Sequence, residues 1–119
     1  MQLLFARKLI GMYVRPILRK TFPNETGAAR LQQIGLFTLI FMLEEGGTPV
    51  TARRLSEITG QHVSGIHKQL EKLLDVKVVG KRRALNQSGR GHVLHFFVKQ
   101  NAKTKQLLKA LDKAAKKKR

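Results

Sequence analysis

Four histidines are the residues of this chain that could bind a metal ion or transfer a proton near neutral pH. His62 and His67 are five positions apart in a segment that reads as a helix, so their side chains diverge by about 140°. His92 and His95 are three apart in a predicted strand and point to opposite faces. The chain also lacks cysteine. The spacing therefore leaves only a site assembled from distant histidines, and we expect no metal or other cofactor.

The acidic residues provide little for acid–base catalysis. The chain has seven of them, and they are scattered along the sequence. Glu44 and Glu45 are adjacent at a predicted helix end, where neighbouring side chains diverge. No serine–histidine–aspartate arrangement and no phosphate-binding loop stands out. We therefore expect that the protein is not an enzyme.

The charge balance points to a polyanionic partner. Twenty-four lysines and arginines oppose seven acids, a formal net charge of +17 in 119 residues. Nucleic acid is the first partner to consider, and an anionic membrane surface is the second. The most apolar run, residues 34–43, is half as long as the roughly 20 residues of a membrane span. It predicts a buried helix, and we expect no membrane association.

The absence of cysteine fits a reducing compartment. Arg7, Lys8 and Arg15 interrupt the apolar N-terminal stretch, unlike the apolar core of a signal peptide. We expect a cytoplasmic, nucleoid-associated protein.

The N-terminal segment combines basic and apolar side chains. Residues 2–20 predict a helix in which the basic side chains occupy about a third of the circumference and apolar ones most of the rest. Pro16 should kink or divide it. So broad an apolar face favours packing on two sides and hence a homodimer, the alternative being an intramolecular core helix. The candidate dimer residues on the terminal helices are Leu3, Ile10, Tyr13, Ile17, Leu107 and Leu111.

The middle of the chain predicts a helix-turn-helix followed by a hairpin. A buried helix over residues 26–45 precedes a short helix over 51–59 that Thr51 caps, with Leu55 and Ile58 facing inward. Gly60 forms a turn before a helix whose apolar face carries Val63, Ile66, Leu70 and Leu73. Strands over 76–85 and 92–100 then form a basic wing.

These elements define one predicted domain over 1–119, mainly α with a small β-hairpin wing. It comprises N-terminal and core helices (1–46), the helix-turn-helix and wing (49–100) and a basic C-terminal helix or tail (101–119).

The stretch "PVTARRLSEITGQHVSGIHKQLEKLLDVKVVGKRR" resembles the winged helix-turn-helix of the multiple-antibiotic-resistance regulator (MarR) family. The matching positions are Pro49, Val50, Thr51, Leu55, Gly60, Ile66, Leu70, Leu73 and Val78. Lys77 departs from the pattern, since the family commonly has glycine there. The resemblance implies a dimeric, sequence-specific regulator of transcription that binds double-stranded DNA, with N- and C-terminal dimerisation helices. It also implies a small-molecule effector, for which no spacing in this sequence shows a pocket.

The candidate DNA-binding residues fall into three groups. The recognition helix presents polar side chains for base edges, and Gly65 would let its backbone approach a groove; the set is Gln61, His62, Ser64, Gly65, His67, Lys68 and Lys72. The start of the third helix would meet the DNA backbone through Thr51, Arg53 and Arg54. The wing carries Lys81, Arg82, Arg83 and Arg90.

Two other functions fit parts of the same pattern. The charge and the basic tail also suit a non-specific or architectural protein that binds DNA or RNA. A winged helix can also serve as a protein-interaction module, in which case the basic surface would not bind nucleic acid.

Overall fold

The computed structural model describes residues 2–86 and 89–117, with side chains described for 7–86 and 89–113. Within these ranges the chain forms helices and one antiparallel hairpin. Their order is α1 (Gln2–Arg19), α2 (Gly27–Glu45), α3 (Ala52–Thr59), α4 (Val63–Asp75), β1 (Val79–Leu85), β2 (His92–Val98) and α5 (Ala102–Lys117). This mostly helical architecture with a two-stranded hairpin is compatible with a winged helix.

The sequence predicted that Pro16 either kinks or divides α1, and the structure shows that it does not divide the helix. The residues on both sides of the proline are helical. Tyr13 and Ile17, which flank it, are buried in the core of the same chain. Proline removes one backbone hydrogen bond, and the packing of these two side chains compensates for that loss.

Ile17 is therefore a core residue of a single chain, which corrects its assignment to a dimer surface. Tyr13 is also buried in the core, and it lines an apolar groove between α1 and α2. The Tyr13 ring centroid lies 4.8 Å from that of Phe37. Its hydroxyl donates a hydrogen bond of 2.8 Å to the Lys99 carbonyl and so connects α1 to the end of β2. Burial raises the pKa of Tyr13 above its usual value.

The core is one cluster of buried side chains from α1, α2, α3, α4 and the base of the hairpin, and half-buried leucines of α5 pack against it. α2 begins at its N-cap Thr26, whose hydroxyl accepts a hydrogen bond from Ala29 N. The expectation that Ile58 faces inward is wrong, because 48% of it is exposed. α3 is only eight residues long. Ala52 and Leu55 occupy its core side and leave Ile58 at the edge.

The hairpin is regular, with Val79 opposite Val98 at its base and Leu85 opposite His92 near its tip. Phe96 N also donates to the Val50 carbonyl at 2.9 Å. The segment that leads into α3 thus lies beside β2, and this contact holds the hairpin against the helix-turn-helix.

β1 begins at Val79, three residues after the predicted Val76. Val76–Val78 instead terminate α4 in a Schellman motif. Lys77 N donates to the Leu74 carbonyl at 3.1 Å and Val78 N donates to the Leu73 carbonyl at 3.3 Å. Lys77 adopts the left-handed conformation, with φ of 65°. Gly47 holds the same place at the end of α2, with φ of 77°.

We expect Lys77→Gly to increase the free energy of unfolding by about 0.5–1 kcal/mol. Glycine removes the cost of a side chain in the left-handed region, about 1–2 kcal/mol, but its greater conformational entropy in the unfolded chain offsets part of that gain. Lys77→Ala is the control, because it retains the Cβ and therefore the strain. Urea unfolding at constant m-value would measure both. Equal changes in the free energy of unfolding of the two variants would contradict backbone strain at Lys77.

Gly80 leaves room for the ring of Phe97 on the neighbouring strand. A Cβ at Gly80 would lie 2.5 Å from Cζ of Phe97, the residue directly opposite it. We expect Gly80→Ala to lower the free energy of unfolding by about 1–3 kcal/mol, the usual cost of overpacking. The same substitution in a Phe97→Ala background should cost much less. A cost that is the same in both backgrounds would show that the ring is not responsible.

Candidate nucleic-acid interface

The helix-turn-helix contains the predicted Thr51 cap and the predicted Gly60 turn, each formed by local hydrogen bonds. The Thr51 hydroxyl caps α3 by accepting from Arg54 N at 3.1 Å. Gly60 ends the helix with φ of 75°, and its N–H donates to the Ser56 carbonyl at 2.8 Å. The Ser56 hydroxyl then donates to the Gln61 carbonyl at 2.6 Å. These bonds fix the path of the chain between α3 and α4, as the glycine turn predicted.

The buried face of α4 determines which residues face out. Ile66, Leu70 and Leu73 are buried, as predicted, whereas Val63 lies at the exposed start of the helix. The opposite face exposes polar side chains of the N-cap and the first two turns. These are His62, Ser64, His67 and Lys68.

His62 is the N-cap of α4, in agreement with its predicted place near the helix start. Its Nδ1 accepts from Ser64 N at 3.2 Å and lies 2.8 Å from Ser64 Oγ. These contacts orient both side chains at the helix N-terminus, where the backbone N–H groups favour an anion such as phosphate.

Gly65 is half-buried and lies under the side chain of Gln61. A Cβ at this position would be 2.9 Å from Nε2 of Gln61. The glycine thus has a local packing role, which the sequence analysis did not anticipate. Gln61 is itself half-buried over the first turn of α4.

Lys72 does not belong to the outward surface, which corrects the prediction. Only 15% of its side chain is exposed. Its Nζ lies 3.4 Å from Oε2 of Glu25 and 5.5 Å from the centroid of the Phe22 ring. Attraction by a buried carboxylate and an aromatic face turns this lysine toward the α1–α2 turn.

Glu25 is the centre of a polar cluster that the sequence analysis missed. Its side chain is fully buried, and its Oε1 lies 3.4 Å from Nε of Arg30. Gln33 Nε2 donates to Oε2 of Glu25 at 3.1 Å. Arg30 also donates to the Leu18 carbonyl. A glutamate in a turn gives no signal of burial, so only the three-dimensional contacts reveal this cluster.

The cations at the start of α3 are exposed. Arg53 is 88% exposed and pairs with Glu57 at 3.2 Å, a contact along the helix surface. Arg54 is exposed too. Surface ion pairs of this kind contribute about 1 kcal/mol or less, so Arg53 can leave Glu57 for a phosphate at little cost.

The predicted basic residues of the wing, Lys81, Arg82, Arg83 and Arg90, are all exposed. Lys81 and Arg83 lie on one face of the hairpin and Arg82 on the other, because side chains alternate along a strand. The Arg82 guanidinium carbon lies 5.9 Å from the centroid of the Phe97 ring. The wing thus presents cations on both of its faces.

An open cleft of about 430 Å³ separates the hairpin from the start of α3. Its lining includes Thr51, Arg53 and Arg54 on the helical side and Asn86 and His95 on the hairpin side. The structure therefore places the predicted backbone-binding residues of α3 beside the wing, around one concave surface.

The described ranges contain no group of three or more histidine or acidic residues that could hold a metal ion. Among the described helices, none is long and apolar enough to cross a membrane.

Structural comparison gives an independent view of the fold. A solved structure from Methanosarcina mazei Go1, named as a possible transcriptional regulator, is similar to this chain with a TM-score of 0.50 and 13% sequence identity. The similarity covers 95% of this chain and 81% of that one. The two proteins share a fold. No protein-family profile matches the sequence, and no curated protein matches it.

Proposed function

We propose that this protein is a dimeric, sequence-specific regulator of transcription that binds double-stranded DNA, with a MarR-like winged helix-turn-helix. The observation that carries the proposal is the exposed polar face of α4, directly followed by a hairpin with cations on both faces. The shared fold with a possible transcriptional regulator supports it.

In this proposal α4 enters the major groove with its N-terminal half. Ser64, His67 and Lys68 reach base edges, where a lysine suits the O6 and N7 acceptors of guanine. Arg53 and Arg54 contact phosphates at the start of α3, and the wing follows the backbone or the adjacent minor groove. Lys72 has no direct contact with DNA.

The test is selection of binding sites from random duplex DNA, followed by titration of the selected and random duplexes at two salt concentrations. A specific regulator should prefer its selected site by at least about 10³-fold at physiological salt. A ratio near one with affinity that collapses in salt would identify a non-specific nucleic-acid binder instead. Absence of any duplex binding would leave the protein-interaction module.

A second copy of the chain is proposed to cover an apolar surface on α1 and α2. An apolar groove of about 240 Å³ lies between these helices, lined by Leu9, Val14, Phe37 and Phe41 among others. Ile10 lies at this groove and is 61% exposed, and large exposed apolar patches commonly mark interfaces. Leu107 and Leu111 on α5 are half-buried against the core, and Leu3 lies outside the described side chains.

Ile10→Glu should weaken this dimer by at least tenfold, because about 1.4 kcal/mol of lost burial is sufficient for that and a buried charge costs more. Sedimentation equilibrium would measure the dissociation constant. Ile58→Glu is the matched control, since Ile58 is another exposed isoleucine but lies on α3. A monomeric wild type, or equal weakening by both variants, would contradict the proposed interface.

A further inference from the structure

The turn between α1 and α2 is connected to the C-terminal half of α4 by charged groups. Lys72 contacts the fully buried Glu25, as described above. One helical turn later, Asp75 pairs with Lys20. Phe22 lies between these contacts, with the two lysine Nζ atoms 5.3 and 5.5 Å from the centroid of its ring.

We propose that Glu25 is a positioning residue that sets the orientation of the recognition helix through Lys72. The consequence for DNA rests on the proposed function, whereas the effect on α4 does not. Glu25 acts through another residue and has no contact with DNA itself.

Helix geometry explains how this contact reaches the outward surface. Ser64, Lys68 and Lys72 are spaced four residues apart and so lie along one ridge of α4. Lys72 is held at the inner end of the ridge, while Ser64 and Lys68 are exposed at the outer end. A rotation or shift of α4 at Lys72 therefore moves the two proposed reading residues.

The buried ion pair adds a directional restraint to the apolar contacts of α4. Ile66, Leu70 and Leu73 pack in the core, and apolar packing is non-directional, so it tolerates small shifts of a helix. The Lys72 ammonium must stay close to the buried Glu25 carboxylate, which restricts the helix further, and buried polar groups fix the register of packed helices in well-studied cases. Gln33 and Arg30 on α2 contact the carboxylate of Glu25, so the ion pair positions α4 relative to α2.

Hydrogen–deuterium exchange on the full chain tests the effect on α4 without DNA. Glu25→Gln retains the size of the side chain but removes its negative charge, and Lys72→Met removes the positive charge of its partner. Each variant should increase exchange of the amides of residues 69–76 and 22–26 together, by about fivefold or more beyond any increase in β1 and β2.

Glu71→Gln is the matched control, since Glu71 is an exposed acid on the same helix, next to Lys72. It should leave exchange unchanged. A uniform increase across all elements in the Glu25 variant would mean that Glu25 supports overall stability only. No increase in α4 would mean that the charge contact does not hold the helix. Either outcome overturns the positioning role.

DNA titration tests the consequence for recognition. Lys72→Met should reduce the preference for the selected duplex over random DNA by about tenfold, the effect of roughly one impaired base contact. The slope of log K against log salt should not change, whereas Lys68→Met should reduce its magnitude by up to about 0.9 if that lysine binds a phosphate. A reduced slope for Lys72→Met would make Lys72 a phosphate contact and overturn its positioning role in recognition. Absence of any preference in the wild type would refute the proposed function, and the exchange result would still decide the position of α4.

Discussion

Replacing Lys81, Arg82 and Arg83 together with alanine is expected to lower the affinity for duplex DNA by between thirty- and two-hundredfold, roughly, at 0.15 M salt. These side chains are exposed on both faces of β1, so two or three of them should meet phosphates. Each phosphate contact adds about 0.9 to the salt slope through counterion release. The slope of log K against log salt should therefore fall in magnitude by about two to three.

Lys103→Ala, Lys105→Ala and Lys109→Ala in one chain form the matched control. They also remove three positive charges, and these lysines are exposed on α5. Their loss should reduce affinity by less than about tenfold, since it weakens only long-range attraction that salt screens within about 8 Å. Fluorescence anisotropy with a labelled duplex would measure both variants. Equal losses would show that total charge, and not the wing, determines binding.

Glu25→Ala is expected to lower the free energy of unfolding by about 3 kcal/mol, near the lower end of the range for breaking a buried charge pair. Removing the carboxylate leaves Arg30 and Lys72 without their buried counter-charge. Partial solvation of Arg30, whose side chain is 30% exposed, moderates the loss. Urea unfolding would measure the change. Glu71→Ala, on the exposed surface of α4, should change the free energy by no more than about 0.5 kcal/mol.

A double substitution separates the pair from the rest of the cluster. Adding Lys72→Met to Glu25→Ala should recover about 1–2 kcal/mol, because a buried cation without its partner is replaced by an apolar side chain of similar length. Strictly additive effects of the two substitutions would show that Glu25 and Lys72 are not coupled.

Local patterns were sufficient to predict the helix-turn-helix. Thr51 as a cap, Gly60 as a turn and His62 near the start of α4 all depend on residues within a few positions of each other. Helix caps and left-handed glycines are local chemistry, so a single sequence carries their signal. The same applies to the hairpin, whose β-branched and aromatic residues surround a glycine-containing turn.

The sequence predictions that the structure corrects depend on long-range packing and not on local pattern. Tyr13 and Ile17 belong to a broad apolar face, but periodicity does not say whether the same chain or a second copy covers that face. The structure places them in the core of the chain. Ile58 has the spacing of a core residue, yet it lies at the edge of the short helix α3 and is exposed.

The sequence by itself thus determined the order of the elements, the turn at Gly60 and which side of α4 is buried, because these follow from local conformation and helical periodicity. Tertiary structure alone decided the role of Lys72. On a helical wheel Lys72 is another cation of the polar surface. In the folded chain Glu25, forty-seven positions earlier, lies within 3.4 Å of it. A buried carboxylate attracts a cation more strongly than water-exposed groups do, and no local pattern states which residues will meet in that environment.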